Sequence, residues 1–226
     1  MRILLVTAVA MEAAPVLAHA GVPSATPSRL TRCSAAGHDV DVLLTGVGMV
    51  ATAAWCSRAF TGHRYDLALN VGVCGSFDRA LAPGDVVHVV RDRFSELGAE
   101  DGDRLLSMTE LGLLDRDDRP FAREELVNPA PPRSQALEGL PAVSGITVNT
   151  VHGNERSIAL VAERFGPQVE SMEGAAFMYA CMIHDLPFAQ VRAVSNLVEK
   201  RNRDAWRMAD AIERLGGVTV GVLESL

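Results

Sequence analysis

Four side chains in this sequence carry enough charge or polarity, in unusual enough surroundings, to do chemistry: Glu12, Glu173, Arg192 and Asn196. Glu12 stands in Ala8-Val-Ala-Met-Glu12-Ala-Ala-Pro15, at the beginning of a helix. Taken alone it is a charge set favourably against the helix dipole, worth a fraction of a kcal/mol. Glu173 follows Met172 at a strand-to-helix junction, and Ala175, Ala176 and Phe177 beside it argue against a plain surface acid. A carboxylate there can accept from both hydroxyls of a vicinal diol. Met172 offers either an adaptable apolar surface under such a ligand or simple core packing. The neighbouring Glu170 is expected to be solvated.

Arg192 and Asn196 lie in Phe188-Ala-Gln-Val-Arg192-Ala-Val-Ser-Asn196-Leu-Val. A charge inside so apolar a strand demands a partner, because an unpaired buried ion is very costly. Arg192 either pairs with Glu12 and orients it, or belongs to a structural ion pair. Asn196 closes the strand with an amide that offers one donor face and one acceptor face.

Two glycine-containing segments lie at other strand ends. Asn70-Val-Gly72-Val73-Cys74-Gly75-Ser76 ends an apolar run in small residues, which lets backbone amides approach a flat ligand. Cys74 there is a ligand contact or a small apolar filler. Gly46-Val-Gly48-Met-Val-Ala51 fits the dinucleotide pattern, and Asp66 has the spacing of the ribose-binding acid. Asp66 precedes its strand, however, and so belongs to the opposite rim; a nicotinamide site is rejected. His19, His38, His63, His88, His152 and His184 show no triad context and read as loop or surface residues, and no G-x-S-x-G elbow is present.

The elements that must position these residues alternate. Strands are expected at 2–9, 28–35, 39–45, 67–73, 85–91, 143–149, 168–172 and 188–195. Helices are expected at 11–19, 49–60, 154–164, 173–184 and 203–223, with a hairpin about Gly37-His38. Residues 92–141, charged and Pro-rich, read as a surface insertion with short helical pieces, in a single domain over 1–226. Such alternation predicts a mixed, mainly parallel sheet between helices, with ligands at the carboxyl ends of strands. Glu12, Gly72 to Ser76, Glu173 and Asn196 all fall at such ends, so they should converge on one rim.

The chain of 226 residues is 48% apolar and carries a net charge of −7. That balance argues against a nucleic-acid surface. No stretch approaches the roughly 20 apolar residues of a membrane span, and the apolar start runs into Glu12 too soon for a signal peptide. A cytoplasmic protein is expected. The four cysteines, Cys33, Cys56, Cys74 and Cys181, lie far apart without a CxxC, so neither zinc nor a disulfide framework is expected.

The order of Val169-Glu-Ser-Met172-Glu173-Gly-Ala-Ala176 and then Val191-Arg-Ala-Val-Ser-Asn196 resembles the nucleoside phosphorylase/nucleosidase superfamily. Within it, Glu199-Lys-Arg-Asn-Arg203-Asp-Ala-Trp206 is similar to the continuation in futalosine hydrolases, relatives of the methylthioadenosine/S-adenosylhomocysteine nucleosidases. The resemblance implies a three-layer αβα sandwich and a homo-oligomer, dimer or tetramer. It implies that Glu12 activates water, Met172 and Glu173 hold the ribose, and Gly46, Val73, Cys74, Gly75 and Val151 line the substrate. Nucleosidases carry a serine where Val73 stands, so a water contact from that side chain is missing here. Phosphorolytic members bind phosphate through a Gly-Asp-Pro segment and arginines; no arginine lies between Arg2 and Arg29, which favours water.

Adenine-cleaving relatives carry Asp where this chain has Asn196, and an Asn suits a 6-oxopurine such as hypoxanthine. The implied reaction is hydrolysis of futalosine to hypoxanthine and dehypoxanthine futalosine, in the alternative route to menaquinone, with neither metal nor organic cofactor. The arginines after Glu199 either meet the substrate's benzoate or solvate a loop. A methylthioadenosine or S-adenosylhomocysteine nucleosidase, a 6-oxopurine nucleoside phosphorylase and a non-catalytic nucleoside sensor remain as alternatives.

Overall fold

The computed structural model describes residues 1–23, 28–102 and 104–226. Asp103, within the expected insertion, lies outside the described residues. In chain order the elements are β1 (Arg2–Thr7), α1 (Ala10–His19), β2 (Leu30–Ala35), β3 (His38–Leu44), α2 (Met49–Gly62), β4 (Leu67–Ser76), β5 (Val86–Asp92), β6 (Gly98–Asp101) and β7 (Arg104–Ser107). Then come β8 (Leu126–Val127), α3 (Gln135–Glu138), β9 (Ala142–Thr147), α4 (Glu155–Phe165), β10 (Val169–Ser171), α5 (Gly174–Ile183), β11 (Phe188–Leu197) and α6 (Met208–Glu224).

The central sheet runs β10-β9-β5-β11-β4-β1-β3-β2, with β8 added to β5. Its middle is parallel: β3, β1, β4 and β11 all point the same way. Antiparallel pairing enters at β2 and where β5 meets β11. β4 is buried over nearly its whole length, as an apolar strand covered on both faces must be. One face packs on α1, α3 and α6 through residues such as Val16, Leu17, Leu137, Leu215 and Leu223. The other packs on α2 and α5 through Cys56, Ala59, Ala175, Phe177 and Met178. The expected helix–sheet–helix layering is therefore present.

One feature went beyond that layering. β10 pairs in parallel with β9 and, by its other edge, antiparallel with the tip of β4 (Val169 with Ser76, Glu170 with Gly75). The strands β4, β11, β5, β9 and β10 thus close on themselves. Cys74, Val87, Val89, Val143 and Val194 fill the inside of that closed end.

Local differences from the expected elements have physical causes. The β2–β3 turn falls on Ala36-Gly37, with φ of 51° and 77°, one residue earlier than expected; both must take the left-handed region of a tight hairpin. The last helix is broken: a short 3₁₀ turn, Arg203–Ala205, precedes α6. The break is held by Arg207 N–H, which donates to Ser195 O at 2.8 Å. The segment 92–141 contains the β6–β7 hairpin and β8, with α3 as its one short helix among the described residues. No helix among the described residues is long and apolar enough to cross a membrane.

α1, which carries Glu12, is seated on α6 by a glycine. A Cβ placed on Gly216 would lie 2.2 Å from Cβ of Pro15, whereas one on Gly217 would meet nothing within 4 Å. Either alanine should gain about 1 kcal/mol in helix propensity. Gly216→Ala must also overpack two rigid surfaces, at about 1–3 kcal/mol. Thermal unfolding should therefore rank Gly217→Ala above wild type and Gly216→Ala below it; equal melting of the two variants would refute this account of the α1–α6 contact.

Candidate active site

Glu12 sits in the first turn of α1 and is buried. Val9, which precedes the helix, has no side-chain oxygen to cap it. The Glu12 carboxylate turns back instead, its Oε2 accepting from the N–H groups of Ala8 (3.0 Å) and Val9 (3.1 Å). Its Oε1 reaches across to β4 and accepts from Val73 N–H at 3.2 Å. Burial raises the Glu12 pKa above the ordinary carboxylate range, with nearby Arg192 opposing that rise. A buried carboxylate bonded on both oxygens is held in one orientation and is a stronger base than a surface one.

Glu173 is likewise buried, at the start of α5, yet it makes no cap. The first amides of α5 are taken by other groups: Gly174 N–H by Ser171 Oγ at 3.2 Å, and Ala175 N–H by Thr147 Oγ1 at 2.7 Å. The Glu173 carboxylate is thereby released to face the sheet rim. It accepts from Gly48 N–H at 3.1 Å and from Arg192 Nη1 at 3.4 Å. Each carboxylate oxygen keeps a lone pair, enough to meet a diol.

Arg192 is 1% exposed, in the middle of β11. Its donors fan out to Glu173, to Asn70 Oδ1 at 2.5 Å and to Gln190 Oε1 at 3.1 Å. Of the two readings left open for it, the ion pair that forms is with Glu173, while Glu12 senses the charge through space. Gly72 makes room for this: a Cβ there would lie 2.4 Å from Arg192 Nη1 and 2.9 Å from Glu12 Oε1. Behind Arg192, Gln190 Nε2 donates to Asp92 Oδ2 at 3.1 Å and Thr147 Oγ1 donates to Asp92 Oδ1 at 3.0 Å.

Asn196 reaches the same rim through a bulge. The β4–β11 register slips between Val194 and Asn196, so Ser195 is unpaired and Asn196 stands opposite Gly75. Ser195 Oγ donates to Asn196 Oδ1 (2.8 Å) and Asn196 Nδ2 donates to Leu197 O (2.9 Å). Those bonds orient the amide and leave it one N–H and one lone pair. Glu12 on Val73 and Asn196 on Gly75 therefore meet one strand, two residues apart.

The geometry has a match in sequence. Residues 2–224 match the model of the phosphorylase superfamily. The chain belongs to it. It is 35% identical over 196 residues to a futalosine hydrolase of Streptomyces coelicolor, covering 82% of this chain and 80% of that one. A futalosine hydrolase of Acidothermus cellulolyticus is 32% identical over 220 residues, covering 94% and 86%. Among solved structures, the native futalosine hydrolase of Helicobacter pylori superposes with a TM-score of 0.80 at 15% identity, covering 100% of this chain and 98% of that one. That last likeness is one of fold.

Against this superfamily background, several expected positions move. Gly46, expected at the sugar, donates its N–H to Ala8 O at 3.0 Å; the amide that meets Glu173 belongs to Gly48, whose φ of 99° only glycine adopts easily. Val73 acts through its backbone. Cys74 is the filler: it packs inside the closed end, and burial pushes its thiol up to about 12. Met172 is half-buried beside Glu173, and Val151 lines a cavity of about 50 Å³ with Gly75 and Asn196. Arg201 and Arg203 both lie over the Trp206 ring. Asp66 accepts from Arg2 N–H at 2.7 Å, at the amino end of β1, the rim away from the site.

Two residues escaped the sequence reading. Glu170 is not solvated but 3% exposed, and His152, read as a loop histidine, packs against it with Nδ1 2.6 Å from Oε2. Period-two alternation sets Glu170 on the face opposite Val169 and so gave no local sign of burial, yet all three residues of β10 are buried. Among the described residues, no three His, Cys, Asp or Glu side chains gather as a metal site would require.

Asp92, fully buried behind Arg192, titrates at about 6 because burial disfavours its charge. Its pKa is higher folded than unfolded, so the native state holds the extra proton between about pH 4 and 6. Its contribution to stability is complete below about pH 4 and is lost as pH rises through 6, by about 3 kcal/mol for a shift of about two units. Asp92→Asn should remove that slope. Denaturant titrations of both proteins from pH 4 to 7 should show wild type losing stability relative to the variant as pH rises; a pH-independent difference would contradict the assignment.

Proposed function

We propose that this chain hydrolyses the N-glycosidic bond of futalosine, releasing hypoxanthine, in the cytoplasm. The observation that carries the reading is the tip of β4, where Val73 N–H holds the buried Glu12 carboxylate and Gly75 faces the Asn196 amide. A sugar between them would have a base on one side and a leaving-group partner on the other. Relatives named futalosine hydrolase at 32–35% identity support the same substrate.

The roles follow from the chemistry. Glu12 takes a proton from water as the water oxygen bonds to C1′, while the C1′–N9 bond breaks and its electron pair leaves with the base. Glu173 grips the two ribose hydroxyls, Met172 lies beneath the sugar, and Val73, Gly75 and Val151 flank the base. Arg192 fixes Glu173 and, through its field, keeps Glu12 available as a base. Positive charge grows on the sugar in such an oxocarbenium-like transition state, and two nearby carboxylates favour it. Asn196, with a donor and an acceptor, bonds the departing 6-oxopurine at O6 and N7. Assembly as a homo-oligomer is supported by α4, none of whose residues is buried and whose Leu160 is half exposed.

Purified protein incubated with futalosine, inosine or methylthioadenosine, with and without phosphate, should release hypoxanthine from futalosine without needing phosphate. Adenine release with no hypoxanthine would reject the reading. Glu12→Gln should lower kcat by about 10²- to 10⁴-fold with little change in KM. The wild-type kcat/KM profile should fall on the acid side with an apparent pKa above the usual carboxylate range, as burial of Glu12 requires. A variant that keeps near-normal turnover would remove Glu12 from the chemistry.

A further inference from the structure

Gly75 has a strand neighbour on each side. It is in register with Asn196 of β11 on one flank and with Glu170 of β10 on the other. Residues in register across a sheet project to the same face, and two strand spacings span about 9.5 Å. The closed end of the sheet therefore sets an amide and a carboxylate on either side of a residue with no side chain. A Cβ on Gly75 would lie 2.9 Å from Val198 Cγ2, 3.4 Å from Asn196 Nδ2 and 3.5 Å from Glu170 Cγ. The small cavity over Gly75 is lined by both side chains, by His152 and by Val151.

Glu170 is an unusual lining for such a place. It is 3% exposed, and its side-chain partner is a histidine rather than an arginine or lysine. Its Oε1 accepts from His152 N–H at 3.0 Å and its Oε2 lies 2.6 Å from His152 Nδ1. His152 is itself braced by the Phe77 ring, edge to face at 6.2 Å between centroids. These bonds use one lone pair on each oxygen and leave the others open. A carboxylate accepts hydrogen bonds and cannot donate them, so it discriminates between ligands that present N–H and ligands that present a lone pair.

We propose that Glu170 is a specificity-determining residue that accepts the N1–H of a 6-oxopurine, with His152 as the positioning residue that holds its carboxylate toward the base. This rests on the reading of the rim as a nucleosidase site and deepens it. A 6-oxopurine carries hydrogen on N1, whereas a 6-aminopurine presents a lone pair there, which faces the carboxylate with like charge. Asn196, whose open donor and acceptor are assigned to O6 and N7, does not read N1. Glu170 supplies that part of the selectivity.

The test reads binding of free bases by calorimetry. Wild type should bind hypoxanthine roughly 10- to 100-fold more tightly than 1-methylhypoxanthine, the range expected for one hydrogen bond to a charged group. Glu170→Gln should bring the two affinities to within about threefold. A pair with a merely structural role would weaken both bases alike and keep their ratio, which overturns the proposal. Equal binding of the two bases by wild type overturns it without any variant, so a poorly folding Glu170→Gln does not shield it. His152→Asn, which keeps a donor near the place of Nδ1, should retain more of the discrimination than His152→Ala; equal loss in both removes the positioning role. If wild type cleaves futalosine but ignores N1 methylation, only this inference fails. If it releases no hypoxanthine, the functional reading fails first.

Discussion

A guanidinium with almost no contact with water, in the middle of the central sheet, constrains everything around it. Arg192 cannot be left unpaired there, and stripping one partner from a buried pair typically costs about 3–5 kcal/mol. Its needs are met from two strands and a helix start: Asn70 on β4, Gln190 on its own strand, and Glu173 entering α5. Two glycines keep the space open. A side chain at Gly72 would strike Arg192 and Glu12, and one at Gly174 would lie 2.1 Å from Gln190 Oε1 and 2.2 Å from Asp92 Oδ2. The same packing that satisfies the cation fixes the distance between the two carboxylates it faces.

From that centre the chemistry is laid out along β4. Its backbone at Val73 holds Glu12, its small residue at Gly72 admits Arg192, and its end at Gly75 separates Asn196 from Glu170. No single loop could give this spacing. It comes from hydrogen-bonded strands whose separation is set by the peptide group. The bulge at Ser195 adds the last adjustment, and Arg207 ties down its carbonyl so that Asn196 is aimed and not merely nearby.

Much of this was legible in the residues. The apolar run at 67–73, the alternation of strands with helices, and the placement of Glu12, Glu173 and Asn196 after predicted strands all reflect local periodicity, which a linear chain displays openly. Rejection of a dinucleotide site also followed from order alone, since an acid before its strand lies at the wrong rim; Asp66 is found there. The failures share one cause. Glu170 was read as solvated and His152 as a loop or surface residue, and each depends on what another segment brings up against it. Glu170 is buried only because β10 closes back on the tip of β4, a pairing between residues about 95 positions apart that no local pattern reports.

The sequence by itself determined the type and order of the elements, and the identity of the groups that end up on the rim, because both depend on composition and spacing within short windows. The tertiary structure alone decided which of those groups touch. It chose Glu173 over Glu12 as the ion-pair partner of Arg192, and gave the first amides of α5 to Ser171 and Thr147 so that Glu173 stays available. It also turned an ordinary glutamate beside a loop histidine into a buried pair. The physical reason is desolvation: how strongly a polar group must seek a partner, and which partner it finds, is set by the water that distant segments exclude from it.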